Sequence, residues 1–258
     1  MLKFAANISF MFQEIPFLDR FQAAKECGFK GVEYTISYEY DAHEIAQHLR
    51  HSDLELVMFN APVGDLSAGE IGIGALPHKK DEFKASIEKA LLYAREQEAK
   101  RIHVLSGIVP TIDEYENYMQ TYIENLRYAA TKFAPHSITL FVEPLNARRF
   151  PGYLIQTVKQ ARDVIEAVGL PNVALQFDCY HVQITEGNLA TRFIENFNLI
   201  KHIQIAGVPE RHEPNIGEIN YPYLFDIFEK SGYSGWIGCE YNPKTTVKAG
   251  LSWLPIKH

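Results

Sequence analysis

Short apolar runs rich in β-branched and aromatic residues recur along the 258-residue chain, each followed by a longer stretch of different period. That alternation limits the fold more than any other feature. The runs fall at 4–8, 31–34, 54–59, 102–105, 138–142, 173–177, 202–205 and 236–239, and they read as strands. Between them, 81–97, 115–133, 157–168 and 221–230 carry helical patterns. Ile87, Ala90, Leu91 and Ala94 repeat at i, i+3, i+4 and i+7, the stripe of a helix with one buried face. Gly28 and Gly169 stand where a left-handed helix C-cap belongs. Strand–helix units of about 32 residues are the size and number expected of a (β/α)8 TIM barrel. A doubly wound open sheet is the alternative, but it usually announces itself by a glycine-rich turn after the first strand. The segment from Asn7 to Phe12 has no glycine. The expectation is an α/β fold, one TIM barrel occupying residues 1–258 as a single domain.

Composition enters as a set of exclusions. With 47% hydrophobic and 22% charged residues, the chain is neither disordered, collagenous nor a coiled coil. Its 25 basic residues against 32 acidic ones leave a formal charge of −7, which argues against a nucleic-acid partner. No apolar run approaches the roughly 18 residues of a membrane span. The run from Phe4 to Phe12 has the length of a signal core, but Asn7 and Ser9 interrupt it and no small-residue cleavage site follows; it reads as the first buried strand. The three cysteines Cys27, Cys179 and Cys239, an odd number without CxxC spacing, suit a reducing cytoplasm better than a disulfide framework.

One connection breaks the rhythm. Residues 60–78 contain Gly64, Gly69, Gly72 and Gly74 with no clear periodicity, and a structureless loop of that length inside a compact domain is more often functional than idle. It reads as a flap over the barrel mouth, with a plain surface excursion as the alternative. Gly72-Ile73-Gly74 lacks the context of a phosphate cradle.

In such a barrel the chemistry is built at the C-terminal strand ends. Strand five runs into Glu143, strand six into Asp178, strand seven carries Gln204 between two isoleucines, and strand eight runs into Glu240. Each gap between these residues is close to one βα unit, so four consecutive strands bring them to one side of the mouth. Carboxylates at the end of an apolar strand are costly to bury unless paired or metal-bound. A divalent cation would relieve their repulsion, and an all-oxygen set of two Glu, one Asp and one Gln favours Mg²⁺ or Mn²⁺ over zinc. Taken singly, an acidic residue after a strand is most often a helix N-cap, and Gln204 alone would be a satisfied core amide. Nearby, His181 is a substrate contact or a surface histidine at a helix start. Arg211 is a bidentate anchor for a substrate carboxylate or part of a solvated loop. His202, one layer below Gln204, reads as a packed core histidine, and Glu33, Arg148 and Arg149 are weaker site candidates.

Across its whole length the sequence resembles the hydroxypyruvate isomerase family of xylose isomerase-like TIM barrels, including its 2-oxo-tetronate isomerase branch. The resemblance rests on Cys27-Gly-Phe-Lys-Gly-Val-Glu33, Glu143-Pro144, Phe177-Asp178-Cys-Tyr-His181 and His202-Ile-Gln204. It continues through Arg211-His-Glu-Pro214, Gly217-Glu-Ile-Asn-Tyr221 and Gly238-Cys-Glu-Tyr241. It implies one divalent metal held by Glu143, Asp178, Gln204 and Glu240, with Glu143 and Glu240 as the proton-transferring pair. Gln204 departs from many related sugar isomerases and epimerases, which commonly have histidine there; that favours Mg²⁺ or Mn²⁺.

The expected activity is therefore that of an intramolecular oxidoreductase on a short hydroxy-oxo acid. It would convert 2-oxo-tetronate to 3-oxo-tetronate, or hydroxypyruvate to tartronate semialdehyde, by metal-assisted proton transfer through a cis-enediolate. His181 and Arg211 would contact the substrate. A sugar epimerase with the same two glutamates is the alternative. A metal-dependent endonuclease, which needs a histidine-rich zinc site and a basic groove, and a non-catalytic sugar-acid sensor fit less well. A small-molecule substrate is the only partner expected, without nucleic acid or membrane, and a homo-oligomer is compatible with all of this.

Overall fold

The computed structural model describes residues 1–35 and 37–254. Parallel strands close on themselves in chain order. They are Lys3–Asn7 (β1), Gly31–Tyr34 (β2), Glu55–Asn60 (β3), Arg101–His103 (β4), Thr139–Val142 (β5), Val173–Asp178 (β6), Ile200–Ile205 (β7) and Trp236–Cys239 (β8), with β8 hydrogen-bonded back to β1. Strands covered on both faces are mostly apolar, and every residue of β2, β6 and β8 is buried, including the polar Glu33, Gln176 and Asp178. The outer ring comprises Arg20–Glu26 (α1), Ala42–His51 (α2), Lys80–Glu96 (α3), Tyr115–Phe133 (α4), Val158–Val168 (α5), Cys179–Thr185 (α6), Leu189–Asn196 (α7) and Tyr221–Lys230 (α8), followed by the short Val247–Gly250 (α9). Strands β4 and β7 differ from the sequence pattern: β4 ends at His103 rather than 105, and β7 starts two residues earlier, at Ile200.

Local chemistry sets the helix bounds. The Thr157 hydroxyl accepts from the Gln160 N–H while the Gln160 side chain reaches back, a reciprocal cap that starts α5. Gly169, at φ +69°, ends it in the left-handed region. Gly28, at φ +87°, plays the same part after α1.

Near the N-terminal strand ends, Ala5, Val57, Met58, Phe141, Ala174 and Trp236 form an apolar plug separate from the main core. Above it lies a polar layer built around Glu33. The ladder register shifts between Val32 and Glu33 and again between Leu175 and Gln176. Such irregularities re-aim side chains, and here both fall directly before a buried polar residue. Position 238 must be glycine for Glu33 to fit, because a Cβ there would lie 2.3 Å from the Glu33 carboxylate.

The 60–78 connection is not structureless, as the sequence led us to expect. It carries 3₁₀ turns at Leu66–Ala68 and Pro77–Lys79. The N–H groups of Gly74 and Ala75 donate to the carbonyls of Leu105 and Ser106, and the Asn125 amide donates to the Gly74 carbonyl. These bonds tie its second half to the loop after β4 and to α4, and Ile71 is held over the barrel mouth.

Candidate active site at the barrel mouth

The mouth encloses a cavity of about 100 Å³ bordered by Glu143, Gln176, His181, Arg211, Glu240 and His103, with Thr35, Asn60 and the rings of Phe10 and Phe150. Glu143 follows β5, Asp178 ends β6, Gln204 lies near the end of β7 and Glu240 follows β8; all four are buried. The structure thus brings the four sequence-selected oxygen residues to one end of the barrel.

Their bonding distinguishes them. Asp178 is both a cap and a site residue: its Oδ1 accepts from the Tyr180 N–H at 2.8 Å, starting α6, while Oδ2 lies 3.4 Å from the Arg211 guanidinium. Glu240 accepts from the Asn7 amide through Oε1 (3.1 Å) and pairs through Oε2 with Arg211. Gln204 donates to Glu33 at 2.7 Å and accepts from the Gln176 amide at 2.6 Å. Glu143 is different: its Oε1 is buried with no partner among the described residues.

Burial pushes the Glu143 carboxyl well above the usual range, and the charges of Glu240 and Asp178 push it further. Burial also raises Asp178, against the pull of Arg211. Glu240 is pushed up to about 8, by burial first, with Arg211 opposing. Packed this closely, the three carboxylates resist ionising together beside the single Arg211 guanidinium, and a cation would relieve that. The bare Glu143 oxygen and the hard oxygen donor set fit a divalent metal.

Arg211 is not part of a solvated loop. Only 4% exposed, it bridges Asp178 and Glu240, donates from Nε to the Glu240 carbonyl, and is sandwiched between the rings of Phe10 and Tyr180, each 4.7 Å away. Its backbone occupies the left-handed region at φ +58°, locked by bonds from its N–H to the Gly207 carbonyl and from the Asn242 N–H to its own. A non-glycine residue held there is typical of a functional constraint.

His181 is equally buried, not a surface histidine. The Asn146 backbone N–H donates to its Nδ1 at 3.0 Å, with the Asn146 side-chain amide 2.7 Å from the same atom. That makes Nδ1 the acceptor, so Nε2 carries the hydrogen, 3.6 Å from Asp178. Atoms of Glu143, Asp178 and His181 lie within 4.8 Å of one another. Burial and the nearby Arg211 hold the imidazole neutral by lowering its pKa far below the ordinary value. With Nδ1 occupied and Nε2 protonated, it has no lone pair for a metal and is a hydrogen-bond donor at the mouth.

Other residues matter more than their sequence context indicates. Glu33, fully buried, accepts from Asn7 (3.0 Å) and Gln204 and lies 2.7 Å from His202 Nε2, which makes His202 a partner of Glu33 rather than mere packing. Gln176 and His103 escape the sequence pattern altogether. Gln176 shares strand parity with Asp178, the one signal that would have shown it facing inward. His103 Nδ1 lies 3.5 Å from Glu143, and its Nε2 is buried without a partner among the described residues. Arg149 is exposed, its guanidinium 5.7 Å from the Phe150 ring.

Comparison with known proteins agrees with this geometry. The family described as "Xylose isomerase-like TIM barrel" matches residues 21–256. The chain is 46% identical over 254 residues to a 2-oxo-tetronate isomerase of Cupriavidus necator, and 43% identical over 254 residues to the hydroxypyruvate isomerase of Escherichia coli. Each alignment covers 98% of both proteins. The crystal structure of a protein named AP endonuclease, family 2, from Brucella melitensis superposes with a TM-score of 0.96 at 47% identity, covering 98% of both chains.

Proposed function

The chain belongs to the xylose isomerase-like TIM barrels and is an isomerase, and from that premise we propose that, as a single domain, it moves the carbonyl of a short hydroxy-oxo acid to the neighbouring carbon. The candidate reactions are 2-oxo-tetronate to 3-oxo-tetronate and hydroxypyruvate to tartronate semialdehyde. The observation that carries the reading is the burial of Glu143, Asp178, Gln204 and Glu240 at four consecutive strand ends, beside a small cavity that Glu143 and Glu240 line.

Glu143, Asp178, Gln204 and Glu240 would hold one divalent ion, Mg²⁺ or Mn²⁺. When bound it supplies Lewis acidity that makes the hydrogen next to the substrate carbonyl easier to remove. Glu143 removes that hydrogen, being the one of the three carboxylates that Arg211 does not pair with. Glu240, held by Asn7 and Arg211, returns a proton to the adjacent carbon. The intermediate between the two transfers is a cis-enediolate of the substrate, whose hydroxyl hydrogen passes from one oxygen to the other, and the two glutamates regain their starting protonation by exchange with water after product leaves. His181 donates from Nε2 to a substrate oxygen. Arg211 keeps Glu240 and Asp178 in place and presents its remaining N–H groups to the substrate. Positioned acid–base transfer supplies about 10²- to 10⁴-fold, and fixed donors facing the developing charge supply more.

Nuclease activity, which the name of the Brucella protein evokes, is poorly served by this mouth. It is narrow and acidic, and the histidine beside its carboxylates is protonated on the nitrogen that faces them. The three cysteines are free and, among the described residues, no helix is long and apolar enough to cross a membrane; both features are compatible with a cytoplasmic enzyme.

Proton NMR in D₂O, with Mg²⁺ or Mn²⁺ and each acid in turn, tests the reading. The expected result is deuterium incorporation together with the isomeric carbonyl product. Metal bound without exchange or product on either acid would overturn it, and strand scission of abasic DNA would replace it.

A further inference from the structure

The isomerase reading leaves two acids that differ by one hydroxymethyl group, and the structure offers one place to tell them apart. His103, at the end of β4, is 2% exposed and lines the cavity, and its Nε2 has no hydrogen-bond partner among the described residues. A buried polar atom left unpaired is costly, so an unpartnered one on a residue that lines a substrate cavity marks a place where a ligand completes the bond. Beside it, Asn60 and Thr35 line the same wall, from the ends of β3 and β2.

Which ligand group completes it follows from the neighbour. His103 Nδ1 lies 3.5 Å from Glu143 Oε2, a place where a second carboxylate is disfavoured. A hydroxyl, which both donates and accepts, pairs with Nε2 in either tautomer of the ring. In 2-oxo-tetronate the carbon that loses its hydrogen bears the terminal hydroxymethyl group, so a base working there, as Glu143 does in the reading above, has that group alongside it. We propose that His103 Nε2 hydrogen-bonds the terminal hydroxyl of a four-carbon hydroxy-oxo acid, and that this bond selects the four-carbon over the three-carbon substrate. The proposal rests on the isomerase reading. Hydroxypyruvate, lacking that group, leaves the imidazole unsatisfied, and a site built to bond a hydroxyl discriminates strongly against the analogue without one.

His103→Gln, His103→Asn and His103→Phe test it. Glutamine places a polar atom near the position of Nε2, asparagine near that of Nδ1, and phenylalanine keeps only the shape. The measurements are kcat/KM on both acids and, independently of turnover, the calorimetric affinity for the unreactive acids erythronate and glycerate. The Asn and Phe variants should lose about tenfold to hundredfold on the four-carbon acid and in erythronate affinity. The three-carbon values should fall clearly less than the four-carbon ones, and Gln should recover most of the loss. An equal fall on both acids with unchanged erythronate affinity, or no fall, would overturn the role of His103. If wild-type protein turns over neither acid, the isomerase reading itself fails, and this one with it.

Discussion

The two halves of the barrel mouth are built from opposite materials. Strands β5 to β8 end in Glu143, Asp178, Gln204 and Glu240, three of them carboxylates, with Arg211 between two of these. Strands β1 to β4 end in Asn7, Thr35, Asn60 and His103, all uncharged side chains once His103 is held neutral; burial and the nearby His202 lower its pKa to about 3. Both halves have the same position in the fold and similar burial, so geometry alone does not separate them. The charged half concentrates a field that a cation and a developing enediolate can use. The other half keeps its one carboxylate, Glu33, below these ends and tied to Asn7, Gln204 and His202, and would read substrate oxygens by hydrogen bonds. Reactivity and selectivity should therefore respond to different mutations.

The sharpest way to break this comparison is to neutralise the charged half. Glu143→Gln and Glu240→Gln should each lower kcat by about 10²- to 10⁴-fold. Both should keep a metal, shown by a rise in melting temperature on adding Mn²⁺, as expected of any ligand that binds only the folded state. Near-normal turnover in metal-loaded variants would remove the two glutamates from the reaction.

Next in size is Arg211. If it is the internal counter-charge its contacts describe, Arg211→Met leaves Asp178 and Glu240 facing each other in a dry site, at a cost of about 3–5 kcal/mol. Chemical denaturation would show this as a lower midpoint without substrate present. An unchanged midpoint with a raised KM would instead restore it to the simple carboxylate anchor that its sequence context suggests.

The same contrast explains what the sequence could reveal. Glu143, Asp178 and Glu240 each break an apolar run at its end, and Gln204 breaks one from inside, all in phase with the strand–helix repeat; a one-dimensional pattern carries that. Arg211 could be placed in the right loop but not given its partners, since its left-handed backbone and the rings of Phe10 and Tyr180 come together only in three dimensions. Asn7 reads as an interruption of a hydrophobic run, and His103 as a histidine among apolar neighbours. Neutral polar residues carry no electrostatic cost to flag them. Glu33 was visible as a strand residue, but its hold on Gln204 depends on a register shift and on the missing side chain of Gly238. The 60–78 connection was legible as a long loop by its glycines, while its tethering to Leu105, Ser106 and Asn125 was not.

The smallest expected effect tests the neutral half itself. Asn60 lines the cavity, and its backbone carbonyl accepts from the Tyr38 hydroxyl at 2.8 Å. Asn60→Ala therefore removes a side-chain contact to substrate without disturbing that bond. One ordinary hydrogen bond is worth about 0.5–1.5 kcal/mol, so KM on the preferred acid should rise roughly two- to tenfold while kcat and the melting temperature stay near wild type. Steady-state kinetics with that acid, at saturating metal, gives the answer directly. A fall in kcat with KM unchanged would mean that Asn60 acts only in the transition state; the neutral half would then take part in the chemistry, and the division between the two sides of the mouth would not hold.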